Sequence, residues 1–126
     1  MVTATIGKDK YKTELFATGH ELIADEPEDV GGSNTGPAPG QFLQLSLASC
    51  TAITLRMYAD RKQWPLDKVR IEINTEKDGN TTLMQRDIQL EGDLSDEQRQ
   101  RLLQIANACP VHKTLSNPIA INTQLV

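Results

Sequence analysis

The chain has no excess of basic residues. Its 126 residues carry 13 Lys and Arg against 17 Asp and Glu, for a net charge of −4, and no charge block or basic stripe stands out. That balance argues against general binding to nucleic acid or to anionic membranes. Long apolar runs are also missing. The best candidate, residues 41 to 62, is broken by Gln44, several hydroxyl residues and Arg56, short of the roughly 18 uninterrupted apolar residues that mark a membrane span. The first residues, MVTATIGKDKYKTEL, hold no continuous apolar segment of the secretory kind, so the cytoplasm is the expected address. Aromatics are sparse at 4%. Cysteine occurs only as Cys50 and Cys109. In the cytoplasm, two cysteines so far apart in sequence are expected to be reduced, metal-bound or redox-active rather than permanently bridged. With His20 and His112 they offer four zinc ligands, but no C-x2–4-C or H-x3–5-H pair nucleates a site, and no metal is expected. P-loop, GxGxxG and GxSxG patterns are absent, GPAPG lacks the residues of a phosphate cradle, and no cofactor is expected.

What is present fits one domain over residues 1 to 126, large enough for a core without staples. VTATI, YKTELFA and HELIAD alternate apolar and polar residues, and ATG before His20 supplies a turn. These predict a meander of two or three strands over residues 2 to 25. EPEDVGGSNTGPAPG follows, punctuated by Gly31, Gly32, Gly36, Gly40, Pro27, Pro37 and Pro39. It reads as a loop, and loops this long in a compact domain are usually functional or mobile. Residues 41 to 62 contain no Gly or Pro and predict a helix about 33 Å long at roughly 1.5 Å per residue. Phe42, Leu45, Leu47, Ala52, Leu55 and Tyr58 point in nearly every direction around it, and a helix apolar all round is a buried one. Its length nearly matches the diameter of a domain whose radius of gyration is roughly 14 Å. One chain would struggle to cover it, so a homodimer that shares the helix is expected.

The stretch WPLDKVRIEINTEKDGNTTLMQRDIQLEGDL predicts a β-hairpin. Val69, Ile71 and Ile73 alternate, Asp78-Gly79-Asn80 turns the chain, and Ile88 and Leu90 sit on the returning strand. A second helix begins at SDEQRQRLLQIANA, with Ser95 as N-cap, Gln98 completing a capping box, and Leu102, Ile105 and Ala106 as its buried stripe. Cys109 continues that stripe. PIAINTQL closes the chain with a strand-like alternation of Ile119, Ile121, Thr123 and Leu125. Strands, long helix, hairpin, helix and strand in that order make an α+β fold rather than an alternating one.

Local chemistry leaves both cysteines open to two readings. Cys50 lies mid-helix among Leu43, Ser46, Leu47, Ile53, Thr54 and Met57, too far from the helix start for the dipole to lower its pKa. It is either a small core residue or a thiol that needs a cation from another segment. In CPVH, Pro110 suits the first position of a new helical turn, which makes Cys109 its N-cap, with His112 and Lys113 adding positive charge nearby. The alternative is that Cys109-Pro110 simply ends a helix and His112 is a surface residue.

Together these residues resemble the OsmC/Ohr family of thiol-dependent hydroperoxide-handling proteins, over nearly the whole chain. The resemblance is strongest in GHELIADEPEDVGGSNTGPAPGQFLQLSLASCTAITLRMYADRKQWPL, in GDLSDEQRQRLLQIANACPVHKTL and in the terminal IAINT. CTAITLRMYA and CPVHKTL look most like the OsmC-related subgroup of small cytoplasmic members. The resemblance implies an OsmC-like fold, antiparallel sheets wrapped around long central helices in an intertwined homodimer. It also implies peroxide reduction at the dimer interface. Cys50 would be the peroxidatic thiolate that becomes a sulfenic acid. Cys109 would be the resolving thiol, forming a disulfide that a cellular dithiol reduces. The apolar wall around Cys50 suits an organic hydroperoxide better than hydrogen peroxide.

One departure from the family pattern bears on the chemistry. Family peroxidases carry an Arg–Glu pair that ionises the first cysteine, with the Glu just after the proline that opens the central helix. Here Gly40 and Gln41 occupy that place, and no arginine precedes Arg56. The candidate thiolate-stabilising residues are therefore His112, Arg56 and Lys8, the last with Lys10 and Lys12 beside it, although lysine lacks the planar fork that grips a carboxylate. Two expectations follow. One is a hydroperoxide reductase working through Cys50 and Cys109. The other is a dimeric binding protein of the same fold, holding a small apolar ligand, with thiols that turn over slowly or not at all.

Overall fold

Alternation at the N-terminus produces strands where the pattern predicts them. The computed structural model describes residues 1 to 126, in two compact units, residues 1 to 43 and residues 44 to 126. In the first unit β1 (Val2–Ile6), β2 (Thr13–Ala17) and β3 (His20–Ala24) form an antiparallel meander in the order β1-β2-β3. Ala17 pairs with His20 across the β2–β3 turn, where Gly19 takes a φ of 83°.

The Gly-rich loop that follows is organised by one carboxylate. Asp25, only 2% exposed, accepts hydrogen bonds from the backbone N–H groups of Tyr11, Glu26, Ser33 and Thr35 and from the Thr35 hydroxyl. The Thr35 hydroxyl contributes most, and together these donors outweigh burial and hold the carboxyl well below the usual carboxylate range. The folded loop leaves no room at two glycines: a Cβ at Gly32 would collide with the Glu26 carbonyl oxygen, and one at Gly36 with that of Ile23.

The long helix, α1 (Pro39–Lys62), starts two residues earlier than its Gly- and Pro-free stretch, because proline is tolerated in a first turn where its missing N–H is not needed. It buries one stripe, Leu47, Thr51, Leu55 and Ala59, spaced four apart. Leu43, Leu45, Ile53 and Met57 stay half-exposed or more. Within one chain the helix is therefore covered on one side only, and burial all round is not reached. No helix is long and apolar enough to cross a membrane.

In the second unit β4 (Leu66–Asp78) and β5 (Thr81–Gly92) make the expected hairpin, closed by Gly79-Asn80 with Asp78 opposite Thr81. Val69 pairs with Leu90 and Ile71 with Ile88, on the partly buried face. α2 (Asp96–Ala106) carries the predicted capping box, Ser95 accepting from the Gln98 N–H and Gln98 Oε1 accepting from the Ser95 N–H. Leu55 and Ala59 of α1 pack with Leu66, Leu94, Leu102 and Ala106 in one cluster, flanked by Tyr58, Trp64, Val69, Ile88, Leu90 and Ile105. A short helix, α3 (Pro110–Ser116), follows. The fold is α+β, as the order of elements implied.

The C-terminal strand expected from PIAINTQL is a correction. Residues 118 to 126 take no regular structure, and Ile119, Ile121 and Leu125 are exposed. Alternation states which face of a strand would be apolar, but a strand exists only where a neighbour supplies its hydrogen bonds. Within this one chain none does.

Two outcomes are expected. Leu102→Ala, at a fully buried site, should cost about 2–5 kcal/mol in urea unfolding at fixed protein concentration; a loss below the lower figure would mean the site collapses around the gap. Asp25→Asn should lower Tm at neutral pH. Because folding depresses the Asp25 pKa, its contribution is fully present above about pH 4, the unfolded value, and is lost as acid drives protons onto the folded carboxyl, so the gap to wild type should close in acid. A gap independent of pH would argue against this role.

Candidate active site

The site lies wholly in the second unit, where α1, β5 and the α2–α3 junction meet. α1 presents Cys50 beside Thr51, the polar member of its buried stripe. The Thr51 hydroxyl donates to the Leu47 carbonyl oxygen (2.7 Å), the i−4 bond that lets a hydroxyl sit inside a helix. α2 ends at Ala106, and Pro110 opens α3 with Cys109 as its N-cap, the geometry the CPVH motif predicts. Cys109 is fully buried and Cys50 partly exposed; both are free thiols.

The two thiols lie close enough to perturb each other's ionisation, and their environments push them in opposite directions. Burial pushes the Cys50 thiol up, and the neighbouring Cys109 pushes it further. Burial opposes ionisation of Cys109 too. Against it stand the neighbouring Cys50 and the backbone N–H groups of His112 and Val111, which bring Cys109 below the ordinary thiol value. The His112 N–H lies 3.4 Å from Cys109 Sγ.

β5 adds a residue that the motifs did not point to. Arg86 sits on the partly buried face, two positions from Ile88 and opposite Ile73. Its Nη1 donates to Thr51 Oγ1 (3.1 Å) and to the Ala106 carbonyl oxygen (3.3 Å), and its Nη2 to Asn107 Oδ1 (2.9 Å). All three acceptors are neutral. The chain's ion pairs are Arg56–Asp60 and Arg70–Glu72, so no carboxylate pairs with Arg86. Burial lowers its pKa and the facing Cys109 raises it; a guanidinium keeps its charge regardless. The sequence did hold a signal: in the alternation Met84, Arg86, Ile88, Leu90, a cation occupies a core-facing position.

The other candidate cations are placed as follows. His112 reaches the pair through its backbone N–H; burial and the nearby Arg86 lower its imidazole pKa, so the ring is less charged than an exposed histidine. Arg56 is engaged elsewhere, with the Leu66 carbonyl oxygen (2.6 Å) and Asp60 (3.1 Å), and braces the C-terminal half of α1 against the start of β4. Lys8 lies exposed between β1 and β2 in the first unit. No three His, Cys, Asp or Glu side chains come together as a metal site would need. Arg86 and His112 also line the polar side of a cavity of about 370 Å3, with Leu47, Met84, Leu103 and Leu115 on its apolar side; neither cysteine is among its lining residues.

A family model described as OsmC-like protein matches residues 32–124, most of the chain and both cysteines. The chain belongs to the OsmC-like family. No curated protein matches it by sequence. Among solved structures it is similar to an OsmC-like protein of Mycoplasma pneumoniae, with 18% identity and a TM-score of 0.78 over 91% of this chain and 85% of that one. It is also similar to an organic hydroperoxide resistance protein, OsmC, of Legionella pneumophila (18% identity, TM-score 0.65, 92% and 88% covered). The organic hydroperoxide resistance protein OhrB of Bacillus subtilis matches at 21% identity and TM-score 0.62, with 92% and 89% covered. At such identities the likeness is one of fold. The first turn of α1 in this OsmC-like chain holds no carboxylate, and Gln41 Oε1 accepts from the Ala38 N–H as a local cap.

A pH titration tests the His112 environment. Its ring proton should be lost below about pH 6.5, the ordinary value, in NMR spectra of the folded chain. Since folding lowers this pKa, the unfolded chain binds the proton more readily, and the His112 contribution to stability is full above about pH 6.5 and falls as pH falls through the folded value. His112→Gln should flatten that part of the Tm profile; a ring that titrates at or above the ordinary value would contradict it.

Proposed function

We propose that this protein is a thiol-dependent peroxidase that reduces organic hydroperoxides through Cys50 and Cys109, as part of oxidative-stress defence in the cytoplasm. The observation that carries this reading is the convergence of two free thiols, one from α1 and one from the N-cap of α3, close enough for each to shift the other's ionisation. Cys50, the more exposed sulfur, meets the peroxide, cleaves the O–O bond and becomes a sulfenic acid. Cys109, already beside it, condenses to a disulfide, and a cellular dithiol restores both thiols. The hydroperoxide resistance proteins among its structural relatives support the substrate class. So does the half-apolar cavity, whose leucines and methionine suit an alkyl tail.

The working form under this reading is a homodimer of single 1–126 domains. Leu45, Ile53 and Met57 on the uncovered side of α1, and the alternating Ile119, Ile121 and Leu125 of the extended C-terminal segment, support a second copy as what covers them. One further observation favours a second reading, a dimeric protein that holds a small apolar ligand and reduces peroxide slowly or not at all. Cys109 is fully buried and burial pushes the Cys50 thiol up, both unfavourable to fast attack.

Thiol counting and intact mass after addition of cumene hydroperoxide separate the two. The peroxidase should lose both thiols and about two mass units as the disulfide forms. Cys50→Ser should be inert, and Cys109→Ser should stop at a sulfenic acid. Survival of both thiols for many minutes in stoichiometric peroxide would sink the peroxidase and leave the ligand-binding reading.

A further inference from the structure

Arg86 combines two features that rarely go together. Its guanidinium is partly buried on the inner face of β5, and every acceptor it is given is neutral: Thr51 Oγ1, the Ala106 carbonyl oxygen and Asn107 Oδ1. A buried charge without a counter-ion is costly, and buried charges in folded proteins are normally paired. The ionisable group facing it is the thiol of Cys109, whose own N–H donates to the same Ala106 carbonyl oxygen (3.4 Å) and whose sulfur accepts the His112 N–H. Titratable groups facing the pair come from three elements: Cys50 on α1, Arg86 on β5 and His112 on α3. None is a carboxylate.

We propose that Arg86 is the positioning residue of the dithiol, holding Cys109 as the resting thiolate, and that Cys109 acts first as the base for Cys50 and then as the nucleophile that closes the disulfide. The proposal rests on the peroxidase reading above. In the resting pair Cys50 S–H donates to the Cys109 sulfur. The Cys50 proton passes to Cys109 as the Cys50 sulfur attacks the terminal oxygen of the hydroperoxide ROOH. The S–O bond forms, the O–O bond breaks, and the leaving alkoxide takes the proton from Cys109 to become ROH. Cys109, again an anion beside Arg86, attacks the sulfur of the Cys50 sulfenic acid; the S–S bond forms and hydroxide leaves to solvent. The two sulfurs together give up two electrons and the peroxide gains two. The function of a helix-opening carboxylate thus falls to a thiolate on a different element, and the lowered Cys109 and raised Cys50 pKa values agree with that division.

The test reads the thiolate directly, by its ultraviolet absorbance against pH, and separately the rate of cumene hydroperoxide consumption by the reduced full chain. Wild type and Cys50→Ser should each hold a thiolate at neutral pH, and Cys109→Ser almost none. Arg86→Met should reduce the thiolate to a few per cent and slow peroxide consumption by about 10- to 100-fold at neutral pH, with recovery as pH rises. Arg86→Lys should restore part of both. A thiolate that survives Cys109→Ser but not Cys50→Ser, or an Arg86→Met variant that titrates like wild type, would overturn the proposal. Should Arg86→Met fail to fold, the two cysteine variants still decide which sulfur carries the charge. A neutral-pH thiolate on Cys109 without any peroxide consumption would uphold the Arg86–Cys109 pairing and overturn the peroxidase reading with the steps built on it.

Discussion

A guanidinium inside a small protein must be matched by acceptors, and those around Arg86 come from two elements other than its own. Thr51 belongs to α1, Ala106 and Asn107 to the end of α2, and Arg86 itself to β5. The planar fork has fixed directions, so satisfying it fixes the spacing of those elements where the two cysteines meet. Shifting any one of them would leave a partly buried cation short of acceptors, which costs far more than an exposed ion pair is worth. The same charge then faces Cys109, so one residue positions the thiol pair and sets its electrostatics.

The apolar core makes that junction possible. Leu47, Thr51, Leu55 and Ala59 form a single stripe of α1, and Leu55 and Ala59 pack with Leu102 and Ala106 of α2. Thr51 is the next member of the stripe, one turn from Leu55, and Ala106 both packs in the core and offers its carbonyl oxygen to Arg86. Site and core are thus consecutive turns of the same helices. Cys109 follows α2 closely enough to inherit its buried position, and Pro110 redirects the chain so that the His112 N–H points at the sulfur.

Much of the local architecture was legible. The meander, the Gly79-Asn80 hairpin, the Ser95 capping box and Cys109 as an N-cap each depend on residues a few positions apart, where periodicity and capping chemistry operate. The terminal alternation of Ile119, Ile121 and Leu125 misled, because a strand needs a partner that no pattern within the segment reveals. Among the candidate cations, Arg56 serves the Leu66 carbonyl and Asp60 instead. Arg86 is 36 positions from Cys50 and belongs to no motif around either cysteine, although its place in the inward-facing series with Met84, Ile88 and Leu90 marks it.

By itself, then, the sequence determined most of the elements, the family and the presence of two free cysteines, since each is written in short-range pattern or in residue type. Only the tertiary structure decided what surrounds those sulfurs. Ionisation depends on what lies within hydrogen-bonding distance and how much water is excluded, and both are set by packing between segments remote in sequence. The apolar setting that first suggested an inert Cys50 describes one side of it accurately. The other side holds Cys109, with Thr51 and Arg86 behind it.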